Sequence, residues 1–578
     1  RTDGLSLASF LRGGPAPTRE CFYWELHETE KPLQAVRFGD WKAVKNGPKA
    51  AIELYDLAAD PGERTNLAAS KPDLVARAAA LMQAEHQPDP NWPLTGKAAK
   101  RKTDEKGAFA TEPARTNAAA APLASAASPA KPNVLFIAVD DLNHWVGYLG
   151  RNRQTLTPNM DRLARRGVWF TRSYCAAPVC NPSRAALMSG LRPGTTGIYD
   201  NGEDFAPVIS PALTLTTQFR QAGYYVCGAG KIYHGSVYRP EEWDDWLKGA
   251  RGAAREGDGS AEAAVRAGKL PITPLDCRDE DMPDWRFVDY ALAQLARKHD
   301  RPFFIACGLT KPHLPWSVPR KYYEKFPLES IELPPYREDD LDDLPAAALR
   351  FADGPANDHE AILAAGTNTW KQAIRAYLAT IHFCDAMIGR LLDGLDRSPY
   401  ATNTIICFWS DHGWHLGEKH HWRKFALWEE STRAPLIWVV PGLTAPDRRC
   451  DRPVDFMHIY PTLLDLCGLP LPPHVQGRSI RPLLADPQTP WTEPALTTYR
   501  QGNHSLRTAR WRYTRYADGG EELYDEDRDP YEWTNLATRT AEFNALKAEL
   551  GRFLPADNKP PAQSGPAAER PRRQRNAP

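Results

Sequence analysis

Four stretches of almost unbroken apolar residues stand out from an otherwise mixed chain: residues 133–139 (NVLFIAV), 224–226 (YYV), 302–307 (PFFIAC) and 404–409 (TIICFW). Runs of this length without polar alternation predict β-strands covered on both faces, the pattern of a buried, largely parallel sheet. Each run then gives way to polar residues capable of chemistry: Asp140-Asp141, Gly230-Lys231 with His234, Lys311-Pro312-His313, and Ser410-Asp411-His412-Gly413. A single pair such as Asp140-Asp141 after a strand is ordinarily a turn or a helix cap. Four such ends together predict one shared site, because open α/β sheets place their sites at the carboxyl ends of the strands.

The clearest helical period covers residues 371–395, where Ile374, Tyr377, Leu378, Ile381, Ile388, Leu391, Leu392 and Leu395 fall on one face that is expected to pack on the sheet. Residues 248–284 read as a Gly-, Ala- and charge-rich insertion between catalytic segments, either a loop that shapes the substrate pocket or a disordered stretch. A long-range repeat shows how the chain is divided. Glu53-Leu54-Tyr55-Asp56, then Asp60-Pro61, Glu63 and Thr65-Asn66-Leu67-Ala68, returns as Glu522-Leu523-Tyr524-Asp525, then Asp529-Pro530, Glu532 and Thr534-Asn535-Leu536-Ala537. Arg37 and Trp41 correspond to Arg507 and Trp511, and Gly4 and Ser6 to Gly477 and Ser479. A spacing of about 470 residues is far too long for a solenoid period and marks a duplicated domain piece. Residues 1–97 are thus expected to be an extra small unit, with strands over 35–44 and 51–56 and a helix over 73–84. An Ala- and Pro-rich linker (98–131), a main domain (132–470), its C-terminal subdomain (471–555) and a disordered tail (556–578) follow.

Composition narrows the function. At 578 residues the chain can bury a large core, and its 72 basic against 72 acidic residues give no global field, which argues against nucleic-acid binding. Ten cysteines without C-x-x-C spacing indicate neither a zinc site nor a dense disulfide framework. No apolar run approaches the ~18 residues of a membrane span. No signal-like apolar segment is visible at the start of the sequence.

The most specific feature is the run from Cys180 to Pro193, CNPSRAALMSGLRP. Pro182 and Ser183 are helix-opening residues ahead of the apolar Ala185-Ala186-Leu187-Met188, so Cys180 is expected at a helix N-terminus, where exposed N–H groups favour an anion. On its own a cysteine here would ordinarily be a buried free thiol. The full run, however, resembles the signature of the formylglycine-dependent sulfatases of the alkaline phosphatase-like superfamily. Residues 302–316 (PFFIACGLTKPHLPW) and 410–418 (SDHGWHLGE) resemble the iduronate-2-sulfatase branch in particular. The resemblance extends over residues 132–555. It makes residues 1–97 similar to the C-terminal subdomain of a second sulfatase.

The resemblance implies an α/β fold, a mixed sheet sandwiched by helices with a smaller α+β subdomain. Its sulfatase activity would act on a sulfated saccharide, a sulfated uronic acid or related polysaccharide fragment. Cys180 would be oxidised to formylglycine by a formylglycine-generating enzyme. Asp140, Asp141, Asp411 and His412, with an oxygen of the modified Cys180, would bind one cation; oxygen-rich ligation favours calcium, with magnesium the alternative. Lys231 and His234 would flank the aldehyde hydrate, and His313 and Lys424 the sulfate and its leaving group. Arg184, Lys231 and Lys424 would neutralise the sulfate oxygens while the hydrate attacks, Asp411 or an oxygen on the metal assisting its deprotonation. His313 would protonate the departing sugar oxygen, and His234 would deprotonate the second hydroxyl to expel sulfate. The same resemblance implies a periplasmic or secreted protein. Two other readings stand beside this one: a phosphoesterase or phosphonate hydrolase on the same scaffold, and a carbohydrate-binding pseudoenzyme with unoxidised Cys180. Trp145, Trp316, Trp414 and Trp422 adjoin the motifs and are candidates for stacking on sugar faces, although core packing is the ordinary role of such residues.

Overall fold

A computed structural model describes residues 21–26, 33–47, 49–60, 62–86, 131–235, 239–247, 265–267, 270–352, 358–556 and 558–563. The chain divides into two compact units, residues 1–125 and 126–578. Residues 98–130 of the expected linker and residues 248–264, 268 and 269 of the 248–284 insertion lie outside the described residues, as do Gly4 and Ser6.

In the first unit β1 (Phe22–Leu26), β2 (Leu33–Phe38), β3 (Trp41–Lys45) and β4 (Ile52–Asp56) form an antiparallel sheet in chain order, joined by α1 (Pro72–Glu85). Val36, Phe38, Ala43, Leu54, Ala78 and Met82 close its core. The single strand expected over 35–44 is instead a hairpin. Gly39, at φ 57, and Asp40 reverse the chain so that Phe38 pairs with Trp41, a tight turn that a Gly-Asp pair supports.

The second unit is built on an eight-stranded sheet. Its central strands are β5 (Asn133–Asp140), β6 (Val168–Phe170), β7 (Tyr225–Gly230), β8 (Asp245–Trp246), β9 (Phe303–Pro312), β10 (Thr404–Ser410), β11 (Leu436–Val439) and β12 (Arg448–Cys450), in the spatial order β12-β6-β11-β10-β5-β9-β7-β8. β10, β5, β9 and β7 are mutually parallel, so their carboxyl ends lie along one edge. The unbroken apolar runs follow from burial on both faces. Leu135, Ile137 and Val139 pack with the helices α2 (Pro283–Ala296) and α3 (Thr367–Arg397), while Val134, Phe136 and Ala138 pack on the other side with Leu187 and Met188. All eight residues of the predicted apolar helix face are fully buried on α3.

The C-terminal sheet, β13 (Ala495–Thr498), β14 (His504–Arg507), β15 (Trp511–Arg515) and β16 (Glu521–Asp525), again antiparallel in chain order and followed by α4 (Thr540–Gly551), repeats the order of elements of the first unit and several of its hydrogen bonds. Asn66 Oδ1 accepts the N–H of Leu54 at 3.1 Å and of Ala68 at 3.0 Å; Asn535 Oδ1 accepts those of Leu523 and Ala537 at the same distances. Glu63 and Glu532 both take left-handed φ, 53° and 59°. The outer faces differ. On the C-terminal copy Glu522 accepts Trp428 Nε1–H at 2.7 Å and Glu532 accepts the Glu429 N–H at 2.8 Å, and both are buried. The equivalent Glu53 and Glu63 are half-exposed, with Lys42 on Glu63 at 2.6 Å. None of the ten candidate site residues falls within residues 1–125, and that unit has its own core. Deleting residues 1–131 is therefore expected to leave turnover per active site within about twofold of the parent; a large fall, with the remainder folded, would show that the segment completes the pocket.

The tail begins with more order than expected. Lys559 N–H donates to Gly194 O at 2.9 Å, Ala562 N–H to Gly197 O at 2.8 Å, and Tyr199 Oη–H to Lys559 O at 2.8 Å. The reason is a bare glycine surface: a Cβ on Gly197, which sits at φ 80, would meet Pro560 O at 2.4 Å. Residues 564–578 lie outside the described residues. Among the described residues no helix is long and apolar enough to cross a membrane.

Candidate active site

The site lies where the parallel strands end. Strand geometry would send Asp140 and Asp141 to opposite faces, but Asp141 takes φ 61 and breaks the alternation, an αL position that aspartate tolerates. One carboxylate oxygen from each of Asp140, Asp141 and Asp411 then lies within 4.8 Å of the others. The Cys180 sulfur joins Asp411 and His412 within the same span, and also Asp141 and His313. Cys180 is the first residue of the helix Cys180–Ser189, as its flanking Pro and Ser predict. Lys231 follows a close backbone crossing at the end of β7. A Cβ on Gly230 would lie 1.9 Å from Gly308 O, so only glycine lets β7 and β9 meet there and set the next residue beside the carboxylates.

Charge inside the site is balanced residue by residue. Lys231 Nζ pairs with Asp140, and Lys424 Nζ lies 2.7 Å from Asp141 Oδ1 and 2.8 Å from Cys180 Sγ. Burial would raise the Asp140 carboxyl, but Lys231, His313 and Arg184 outweigh it and hold the group well below the usual carboxylate range. For Asp141 burial is likewise overcome, chiefly by Lys424, and the carboxyl is held down at about 2. Burial pushes the Cys180 thiol up to about 12 despite Lys231 and Lys424, so as a cysteine it is a neutral thiol at neutral pH. His412 donates from Nδ1 to Gly413 O at 3.0 Å, leaving Nε2 3.4 Å from both Cys180 Sγ and Asp141 Oδ1. Asp141 Oδ2 is buried without a hydrogen-bond partner. Three buried carboxylates, one with a bare oxygen, and an imidazole nitrogen form a donor set that fits a hard divalent cation.

All ten predicted site residues are brought together, but Arg184 stands elsewhere than expected. It is fully buried: Nε donates to Asp411 Oδ2 at 2.8 Å, Nη2 to Val139 O at 3.1 Å and Asp140 Oδ1 at 3.4 Å, and Nη1 to Ile232 O at 3.3 Å. Its donors are spent on orienting two carboxylates, so it does not reach out to an anion in the pocket. Lys231, His234 and His313 form the open side, His313 being 34% exposed. The four tryptophans are at most 3% exposed and are core residues, not sugar platforms. Sequence reasoning missed Tyr377, placed on the apolar face of α3: its Oη–H donates to Asp141 O at 2.7 Å and accepts the Asn143 N–H at 2.9 Å, steadying the kinked segment. It also missed Ser183, whose hydroxyl donates to Asp411 O at 2.5 Å. A hydroxyl inside an apolar helix stripe was the one signal available for Tyr377.

Comparison with known proteins bears on the family and the fold. The family described as Sulfatase matches residues 132–469, and that described as N-sulphoglucosamine sulphohydrolase, C-terminal, matches residues 417–558. The chain is 41% identical to a sulfatase of Formosa agariphila over 73% of its own length and 86% of the relative's. It is 29% identical to iduronate 2-sulfatase of Homo sapiens, covering 66% and 80% of the two chains. It is 30% identical to choline-sulfatase of Rhizobium meliloti, covering 70% and 82%. Its fold is shared with a solved structure in complex with D-glucosamine-2-N,6-O-disulfate (TM-score 0.59, 23% identity, 73% of this chain and 97% of the other). It is shared equally with the phosphonate monoester hydrolase of Agrobacterium radiobacter (TM-score 0.59, 21% identity, 73% and 94%).

Proposed function

The chain belongs to the sulfatase family and is a sulfuric ester hydrolase, and from that premise we propose that it removes O-sulfate from a sulfated sugar of the 2-sulfated uronic acid type. The nucleophile is the hydrate of formylglycine made from Cys180, and Asp140, Asp141, Asp411 and His412 hold one divalent cation, calcium or magnesium. The observation that carries this reading is the setting of Cys180. It stands at a helix N-terminus, 2.8 Å from Lys424 and against the carboxylate cluster, in a place where a thiol is protonated and a poor nucleophile. Because the residue is fully buried, its oxidation by a formylglycine-generating enzyme has to precede closure of the fold.

Bound in this site, the cation supplies positive charge against the sulfate oxygens. Lys231 and Lys424 bring two ammonium groups to the same anion, and Arg184 keeps Asp140 and Asp411 in place behind them. His313 Nε2, 3.8 Å from Asp141 Oδ2 on the open side, protonates the sugar oxygen as its bond to sulfur breaks. His234 then takes the proton of the remaining hydroxyl, so the carbon–oxygen bond to sulfate breaks and the aldehyde returns. Its imidazole suits that task. Burial, reinforced by Lys231, pushes His234 down to about 4, which leaves it neutral and able to accept a proton above that value. Turnover is thus expected to hold from neutrality downward and to fall as pH drops through about 4. A pH profile of kcat/KM with its acid limb at the ordinary histidine value would remove His234 from this role.

The test of the function is a substrate panel on metal-loaded, Cys180-oxidised protein: 2-sulfated iduronate, 6-sulfated glucosamine, choline sulfate and a phosphonate monoester. Sulfate release fastest from the 2-sulfated uronic acid is the expected result. A higher kcat/KM on the phosphonate would overturn the assignment in favour of the other chemistry this scaffold hosts.

A further inference from the structure

Behind the turn that carries His313 lie two buried charged side chains, Asp284 on the first turn of α2 and Lys311 at the end of β9. The ladder between β9 and β5 slips here: Leu309 is paired with Val139 and Pro312 with Asp140, so Thr310 and Lys311 bulge out of the sheet. Their N–H groups would be left unpaired in a buried place, which is costly. Asp284 receives both, Oδ1 from Thr310 and Oδ2 from Lys311, each at 2.9 Å. From the other side the Lys311 ammonium donates to the carbonyl oxygens of Pro315 and, at 3.3 Å, His313. The turn is thereby braced twice, by a carboxylate on its amides and by an ammonium on its carbonyls. Within it the His313 N–H donates to Thr310 O at 2.9 Å, and Nδ1 donates to Leu314 O at 2.5 Å, which turns Nε2 toward the opening.

We infer that Asp284 and Lys311 are positioning residues for His313, holding the bulged turn so that Nε2 meets the oxygen of the departing alcohol. This rests on the assignment of His313 as the proton donor to that oxygen. A buried pair with only a structural role would affect every substrate alike. A positioning role depends on the leaving group, because a sugar alkoxide needs a proton to depart and a nitrophenolate does not.

The experiment measures kcat and KM of the full metal-loaded chain on 2-sulfated iduronate and on 4-nitrophenyl sulfate. Lys311→Met is expected to lower kcat on the sugar sulfate by about tenfold to a hundredfold and on the aryl sulfate by less than about threefold, with KM little changed. Lys311→Arg, which still donates to carbonyls, should recover most of the loss. Asp284→Asn keeps one acceptor, should show the same split, and carries the test if Lys311→Met does not fold. His313→Gln is the reference. If it shows no split between the two substrates, the assignment of His313 fails. If His313→Gln splits them while Lys311→Met and Asp284→Asn lose equally on both or lose nothing, this inference fails and the assignment of His313 stands.

Discussion

Replacing Cys180 with alanine is expected to cut turnover by about a thousandfold or more, the scale of losing a covalent nucleophile, while leaving the fold in place. The side chain contributes little to packing beyond its own small volume. Its neighbours keep other partners: Lys424 retains Asp141 at 2.7 Å, and His412 retains Gly413 O at 3.0 Å. What alanine removes is the aldehyde. The peptide of residues 173–184 reports on this directly, since in active protein residue 180 should have lost sulfur and two hydrogens and gained one oxygen, while Cys175 in the same peptide stays a thiol and serves as the internal reference. Fully active protein carrying only thiol at residue 180 would refute the mechanism. Inactive but folded protein with unoxidised Cys180 would agree with it, because burial leaves that thiol protonated at working pH.

The parts of this molecule that could be read from the chain are those in which one local pattern has one physical outcome. Strands covered on both faces have no polar face to alternate with, so the runs ending at Asp140, His313 and Asp411 announced both the sheet and the edge where chemistry collects. The helix start at Cys180 followed from Pro182 and Ser183 in the same way. Contacts decided across hundreds of residues left no such trace. Arg184 reads as an anion ligand until its guanidinium is seen to be used up by Asp411, Asp140 and three strand-end carbonyls, including that of Val139. Tyr377 reads as one more apolar helix position, and Trp316 or Trp414 as either a sugar platform or a core residue. Each is settled by what lies opposite it in the fold. The hairpin at Gly39-Asp40 was missed for a different reason: apolar residues on both sides of a two-residue turn mimic one longer strand.

Removing the cation is expected to abolish turnover reversibly, and Asp141→Asn to make that loss permanent. Asp140, Asp141 and Asp411 place three carboxylates within one span of 4.8 Å in a fully buried site. Arg184 serves Asp411, and Lys231 and Lys424 serve Asp140 and Asp141, but Asp141 Oδ2 has no hydrogen-bond donor of its own. An asparagine at 141 is nearly the same size and can keep its oxygen on Lys424. It would, however, point an amide N–H₂ to the place of the bare oxygen, opposing a cation with a donor dipole where a charge had been. Chelator-treated parent protein should therefore be inactive and regain turnover with calcium. Calcium at a hundred times its dissociation constant should stabilise the parent by about 2.7 kcal/mol, visible as a rise in melting temperature. Asp141→Asn should fold, melt at a temperature indifferent to calcium, and stay inactive at any calcium concentration. Full turnover by protein shown by elemental analysis to hold no metal would overturn the cation assignment. So would an undiminished calcium-dependent rise in melting temperature in Asp141→Asn, which would place the ion on other residues.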